Sequence, residues 1–154
     1  MPRTIEQRLR DLGMVLPSPA KSVATYVPVV RTGNLLVTSG QLPLKDGALA
    51  ATGLLGADLS TEEGQAAARW CAANVLAQVQ AATGDLEKVA RLVKITVFVA
   101  SAPGFTEHHL VANGASEFFV AALGDSGAHA RSAVGVAGLP MNAPVEVEAL
   151  VEVS

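Results

Sequence analysis

Apolar and polar residues follow two different periods along this chain, and the changes of period mark its elements. Near the N-terminus Ile5, Leu9 and Leu12 share one helical face. Thr4 and Gln7 have the spacing of a capping box and Gly13 follows, which predicts a short helix over 4–12. Pro17 and Pro19 then impose an extended stretch. Residues 26–30 and 35–39 are rich in β-formers and flank Arg31-Thr32-Gly33-Asn34, a predicted hairpin. Residues 41–60 hold several Gly and Ala with no clear period and read as a loop with one short edge strand. Ser60-Thr61-Glu62-Glu63 is a capping box that opens the longest predicted helix. It runs to about residue 82, with Ala67, Trp70, Cys71, Asn74, Val75 and Gln78 near one stripe, and stops at Gly84. Val93, Ile95, Val97 and Val99 alternate with Lys94, Thr96 and Phe98, the period of a strand. A second long helix is predicted over 106–123, with Leu110, Phe118 and Phe119 apolar and Gly124 at its end. Strands over 131–137 and 145–153 close the chain around a turn-rich connection.

This order predicts an α+β fold in one domain spanning 1–154, with residues 1–20 as a helix and an extended lead-in. Four to six strands would carry two long helices on one face. The other face has no helix to cover it, yet Leu92 and Phe98 are expected opposite the valine row, and Leu150 opposite Val147, Ala149 and Val151. Composition sharpens that mismatch. Of 154 residues 16% are charged, against about 25% in ordinary soluble domains. Both features predict that copies of the chain cover one another. A net charge of −3 argues against a nucleic-acid binder, which needs clustered cations. The charged N-terminus predicts no signal peptide, and no apolar run approaches the roughly 18 residues of a membrane span, so a cytoplasmic location is expected. The single Cys71 has no internal disulfide partner, and no Cys/His set has zinc spacing.

Several residues bear chemistry. Gly124-Asp125-Ser126-Gly127 follows a helix end and reads as a turn. Cys71 reads as a small core residue, and His108 and His109 as neighbours pointing apart on a solvated helix face. The hydroxyls of Thr38-Ser39-Gly40-Gln41 either serve backbone groups or are displayed at a strand end. Arg131 enters an apolar strand, and a buried guanidinium demands an anionic partner. Two roles fit it: a structural pair with Glu146, Glu148 or Glu152 of the last strand, or a bidentate anchor for a substrate carboxylate.

Four segments, TYVPVVRTGNLLVTSGQLPL (25–44), VKITVFVA (93–100), NGASEFF (113–119) and ARSAVGVAGLPMNAPVEVEALVEV (130–153), resemble the Rid family, the YjgF-like reactive intermediate deaminases also described as endoribonuclease L-PSP. The N-terminal helix, the loop through Gly53-Leu54-Leu55-Gly56 and the GAHARSAVG lead-in resemble a longer YjgF-like subgroup. The resemblance implies a chorismate-mutase-like fold, a homotrimer with a central barrel, and clefts between subunits. It further implies that Arg131 binds the carboxylate of a small 2-imino acid and that Glu146 positions the attacking water. Tyr26, Ser39, Gly40 and Asn113 would line the cleft. Ala133 stands where the family often has a cysteine. Hydrolysis to a 2-keto acid and ammonia would need no metal or cofactor. The same clefts would also suit a non-catalytic carboxylate sensor, and the family's older description leaves an endoribonuclease as a third possibility.

Overall fold

The structure, a computed structural model, describes residues 2–22 and 24–154. Its helices begin and end where local chemistry places their caps. Helix α1 (Ile5–Asp11) starts at Thr4, whose hydroxyl accepts from the Gln7 N–H while the Gln7 side chain accepts from the Thr4 N–H. Helix α2 (Thr61–Thr83) has the same reciprocal cap in Ser60 and Glu63, and Gly84 closes it in the left-handed conformation. Helix α3 (His108–Leu123) begins two residues later than the apolar period predicts and runs into a single 3₁₀ turn over Gly124–Gly127, so the Gly-Asp-Ser-Gly string is a turn.

Strands β1 (Val29–Thr32) and β2 (Leu35–Thr38) form the predicted hairpin across Gly33-Asn34. The first strand starts at Val29 rather than Tyr26, since Pro28 has no N–H to give the ladder. The stretch read as a loop with one edge strand instead holds two strands, β3 (Leu44–Lys45) and β4 (Ala48–Leu49), which pair with each other. Asp46 and Gly47 both take positive φ between them, the Asp-Gly turn that favours tight hairpins. Strands β5 (Val89–Ala100), β6 (Ala130–Val136) and β7 (Val145–Val153) complete a five-stranded sheet in the order β1-β2-β7-β5-β6. All its pairs are antiparallel except β5–β6, whose parallel pairing is permitted by the crossover through α3.

Both long helices lie on one face of this sheet. Ile95, Val97 and Val99 of β5 and Val145, Val147, Ala149, Val151 and Val153 of β7 are buried beneath them. Leu92 joins that row rather than opposing it. A shift in the β5–β7 register between Leu92 and Lys94 inserts one residue, so the strict alternation read through Val93 breaks there. Cys71 is a core residue of α2 as expected, its Sγ 3.4 Å from the Val145 carbonyl. Burial pushes its thiol well up, and the Glu146 carboxylate adds to this. On the other face Phe98 and Leu150 are half-buried, while Leu35, Val37 and Val134 are 37–43% exposed. No helix is long and apolar enough to cross a membrane among the described residues.

Candidate functional site

The parity of β6 decides where Arg131 goes. Its register partner on β5 is Ile95, whose side chain faces the helices, so Arg131 faces α3 as well. There Nη1 donates to Asn113 Oδ1 (2.9 Å) and to Ser116 Oγ (3.1 Å), and Nη2 donates to the main-chain oxygen of His109 (3.1 Å). Asn113 and Ser116 are three residues apart on α3 and therefore share a face. These acceptors are all neutral. The ion pair with a β7 glutamate does not form: β5 lies between β6 and β7, and Glu146, Glu148 and Glu152 project from the opposite sheet face. Among the described residues the sole ion pair joins Arg3 and Asp11, far along the chain. Three of the five guanidinium N–H groups are thus occupied. The two that remain, one on Nε and one on Nη2, are donors that a carboxylate can accept from. Ala133, two residues along the same side of β6, presents only a methyl group.

The other expected residues gather elsewhere. Tyr26 and Gly40 line one small crevice with Pro28, Gln41 and Leu44. Tyr26 is 46% exposed. Glu146 folds over Gly40 so closely that a Cβ there would stand 2.1 Å from Glu146 Oε1, which explains glycine at this position. The Ser39 hydroxyl donates to the Val27 carbonyl (2.7 Å), and that of Thr38 accepts from the Ala149 N–H (3.0 Å), so both serve the backbone. No donor among the described residues reaches the Glu146 carboxylate. Its partial burial, and after that the charge of Glu148 on the same side of β7, hold its pKa above the ordinary value.

Within one chain the expected residues therefore fall into two separate groups. Arg131, Asn113 and Ala133 sit between edge strand β6 and α3, whereas Tyr26, Ser39, Gly40 and Glu146 sit on the far side of the sheet. Arg131 and Glu146 do not meet within one copy.

Two histidines are held by contacts from other elements. His109 is exposed as expected, but His108 is half-buried: its Nε2 lies 3.0 Å from Ser101 Oγ, Phe105 packs edge-on against the ring, and Gly135 passes so near that a Cβ would lie 2.5 Å from Nε2. His129 lies two residues before Arg131, with Nε2 2.9 Å from Ser116 Oγ and Nδ1 2.6 Å from the Gly127 oxygen. Ser116 and His129 were legible as site neighbours, from the i, i+3 spacing to Asn113 and the i, i+2 spacing to Arg131. No group of three His, Cys, Asp or Glu converges among the described residues.

The family model for endoribonuclease L-PSP matches residues 17–153. Protein TCP17 of Trypanosoma cruzi is 52% identical over 151 residues, covering 97% of this chain and 94% of that protein. The 2-iminobutanoate/2-iminopropanoate deaminase of Escherichia coli strain K12 is 36% identical over 129 residues, covering 84% and 88%. Among solved structures, protein Atu1372 of unknown function from Agrobacterium tumefaciens superposes with a TM-score of 0.92 at 52% identity, covering 97% of this chain and 92% of that one. E. coli TdcF with bound serine superposes with a TM-score of 0.65 at 26% identity, covering 92% and 97%.

Proposed function

Because the chain belongs to the endoribonuclease L-PSP family, we propose that it is an enamine/imine deaminase that converts small 2-imino acids to 2-keto acids and ammonia. Copies of the chain assemble as homotrimers, burying the apolar sheet face, and each cleft joins the Arg131 half-site of one copy to the Glu146 half-site of the next. The observation that carries this proposal is the Arg131 guanidinium, held by three neutral acceptors with N–H donors on Nε and Nη2 left for a carboxylate. The deaminase activity of the E. coli relative and the serine held by TdcF, both small and carboxylate-bearing, fit the same anchor.

With the carboxylate fixed on Arg131, the imine carbon is presented to water rather than diffusing past it. Glu146 accepts a proton as that water adds to the C=N bond. The nitrogen takes up that proton to give a neutral carbinolamine, whose hydroxyl proton then passes to the amine as the C–N bond breaks, ammonia leaves and the C=O bond forms. Tyr26, Asn113, Ser39 and Gly40 shape the cleft, and Ala133 leaves room where a cysteine would intrude. A net charge of −3 does not favour a polyanionic RNA substrate.

The test generates 2-iminobutyrate and 2-iminopropionate enzymatically with semicarbazide present and follows semicarbazone formation. Added protein should suppress it, and an unchanged rate would overturn the assignment. Mass measured in solution should be three times that of the chain, and a monomer would remove the shared cleft.

Glu146 gives a prediction with two signs. Its raised pKa means the folded protein binds a proton more readily than the unfolded chain, so its favourable contribution exists at low pH. That contribution is lost as pH rises through the folded-state pKa, leaving a half-buried charge. Glu146→Gln should therefore be at least as stable as the parent near neutral pH, yet lose roughly a hundredfold in kcat as the proton acceptor disappears. Glu148→Gln should shift the acid limb of the kcat/KM profile to lower pH, because it removes the second cause of the upward shift. Stability curves and pH–rate profiles check both. Retained turnover in Glu146→Gln would remove the role assigned to this group, and absence of turnover in the parent with carboxylate binding intact would leave a binding protein.

A further inference from the structure

Hydrogen-bond directions around His129 can be assigned one after another. The Gly127 oxygen can only accept, so His129 Nδ1, 2.6 Å away, carries the ring proton. Nε2 of the neutral ring is then an acceptor, and the Ser116 hydroxyl, 2.9 Å away, donates to it. With its proton committed there, Ser116 Oγ offers only lone pairs, and Arg131 Nη1 donates to one of them at 3.1 Å. Phe119 packs edge-on against the imidazole with ring centres 6.2 Å apart, which restricts its rotation. The chain runs Gly127 oxygen, His129, Ser116, Arg131.

We propose that Ser116 and His129 are positioning residues that fix which N–H donors of the Arg131 guanidinium face an incoming carboxylate. Asn113 and Ser116 both accept from Nη1 and the His109 oxygen from Nη2, which leaves Nε and one N–H of Nη2 for the ligand. A serine free to rotate could turn its own hydrogen toward Nη1 and repel it. His129 removes that option by taking the hydrogen. The imidazole acts through the serine, the serine acts through the arginine, and neither touches substrate. His129 lies in the GAHARSAVG lead-in, so the device belongs to the segment that accompanies the longer subgroup.

This inference rests on Arg131 being a carboxylate anchor, and its test does not require turnover. The probe is 2-ketobutyrate, a stable acid of the proposed product class, titrated calorimetrically into the intact protein. Ser116→Ala should weaken binding about tenfold, the scale of one hydrogen bond to a charged group. Ser116→Thr, which keeps the hydroxyl, should restore most of it. In an Arg131→Ala background Ser116→Ala should cost nothing further, whereas a merely structural residue would cost the same again. Nitrogen-15 spectra of the unmodified protein should show His129 protonated on Nδ1 alone at neutral pH. Equal losses in both backgrounds, wild-type affinity in Ser116→Ala, or a proton on Nε2 would each overturn the proposal. Absence of 2-ketobutyrate binding to the wild type would overturn it together with the anchor. Intact binding with the expected pattern but no imine hydrolysis would refute the deaminase alone and leave this inference standing.

Discussion

Replacing Arg131 by alanine is expected to lower kcat/KM for 2-iminobutyrate about a thousandfold, roughly 4 kcal/mol, the upper range for truncating one partner of a buried charged contact. The substitution removes the only cation between β6 and α3 among the described contacts and leaves Asn113 Oδ1 and Ser116 Oγ without their donor. Lysine should not rescue it. An ammonium has three donors at a single point and cannot meet Asn113, Ser116 and the His109 oxygen while keeping donors for the substrate. The loss should fall on KM and kcat together, because the same contact binds the substrate and aligns its imine carbon. Steady-state kinetics at several substrate concentrations check this, with melting temperature as the control for folding. Wild-type kcat/KM in Arg131→Ala would place the chemistry elsewhere.

Gly114→Ala should be the most destabilising conservative change in the helices. Alanine in an exposed helix is normally better than glycine by up to about 1 kcal/mol, so a simple propensity argument predicts a gain. Here a Cβ would lie 2.1 Å from the main-chain oxygen of Gln65 and 2.7 Å from its Cα, atoms that cannot rotate away. The two long helices cross at this point, and Gly64 on α2 is similarly close to Leu55 and Val111. Relief requires the helices to separate, at a cost of roughly 3 kcal/mol or a melting temperature lower by about 10 °C. Gly138→Ala is the matched control, since its Cβ would meet nothing within 4 Å. Equal melting temperatures for the two variants would show that the crossing is looser than its geometry indicates.

The sequence was most legible where structure is local. Both capping boxes and the glycine stop of α2 depend on residues a few positions apart, and they formed as expected. It was least legible where one inserted residue or one intervening strand changes a parity. The irregularity beside Val93 moved Leu92 to the core, and nothing in an apolar run announces such a shift. The expected pairing of Arg131 with the β7 glutamates failed for a related reason. Alternation assigns faces within a strand, but it does not say that β5 will lie between β6 and β7. Asp46-Gly47 was a missed signal, since its strands are two residues long and leave no period to read. His108 looked solvated because helical spacing shows only what shares its own helix. The groups that bury it, Ser101 and Gly135, come from β5's end and from β6.

Strand β6 divides its seven residues between two tasks by parity alone. Arg131, Ala133 and Gly135 point toward α3, while Ser132 and Val134 point to the open face of the sheet. A substitution at an odd position alters the side facing α3 without touching the open face, and the reverse also holds. A one-residue deletion in this strand would exchange the two sets at once, so the fold of β6 accommodates a substituted side chain far more readily than a changed length.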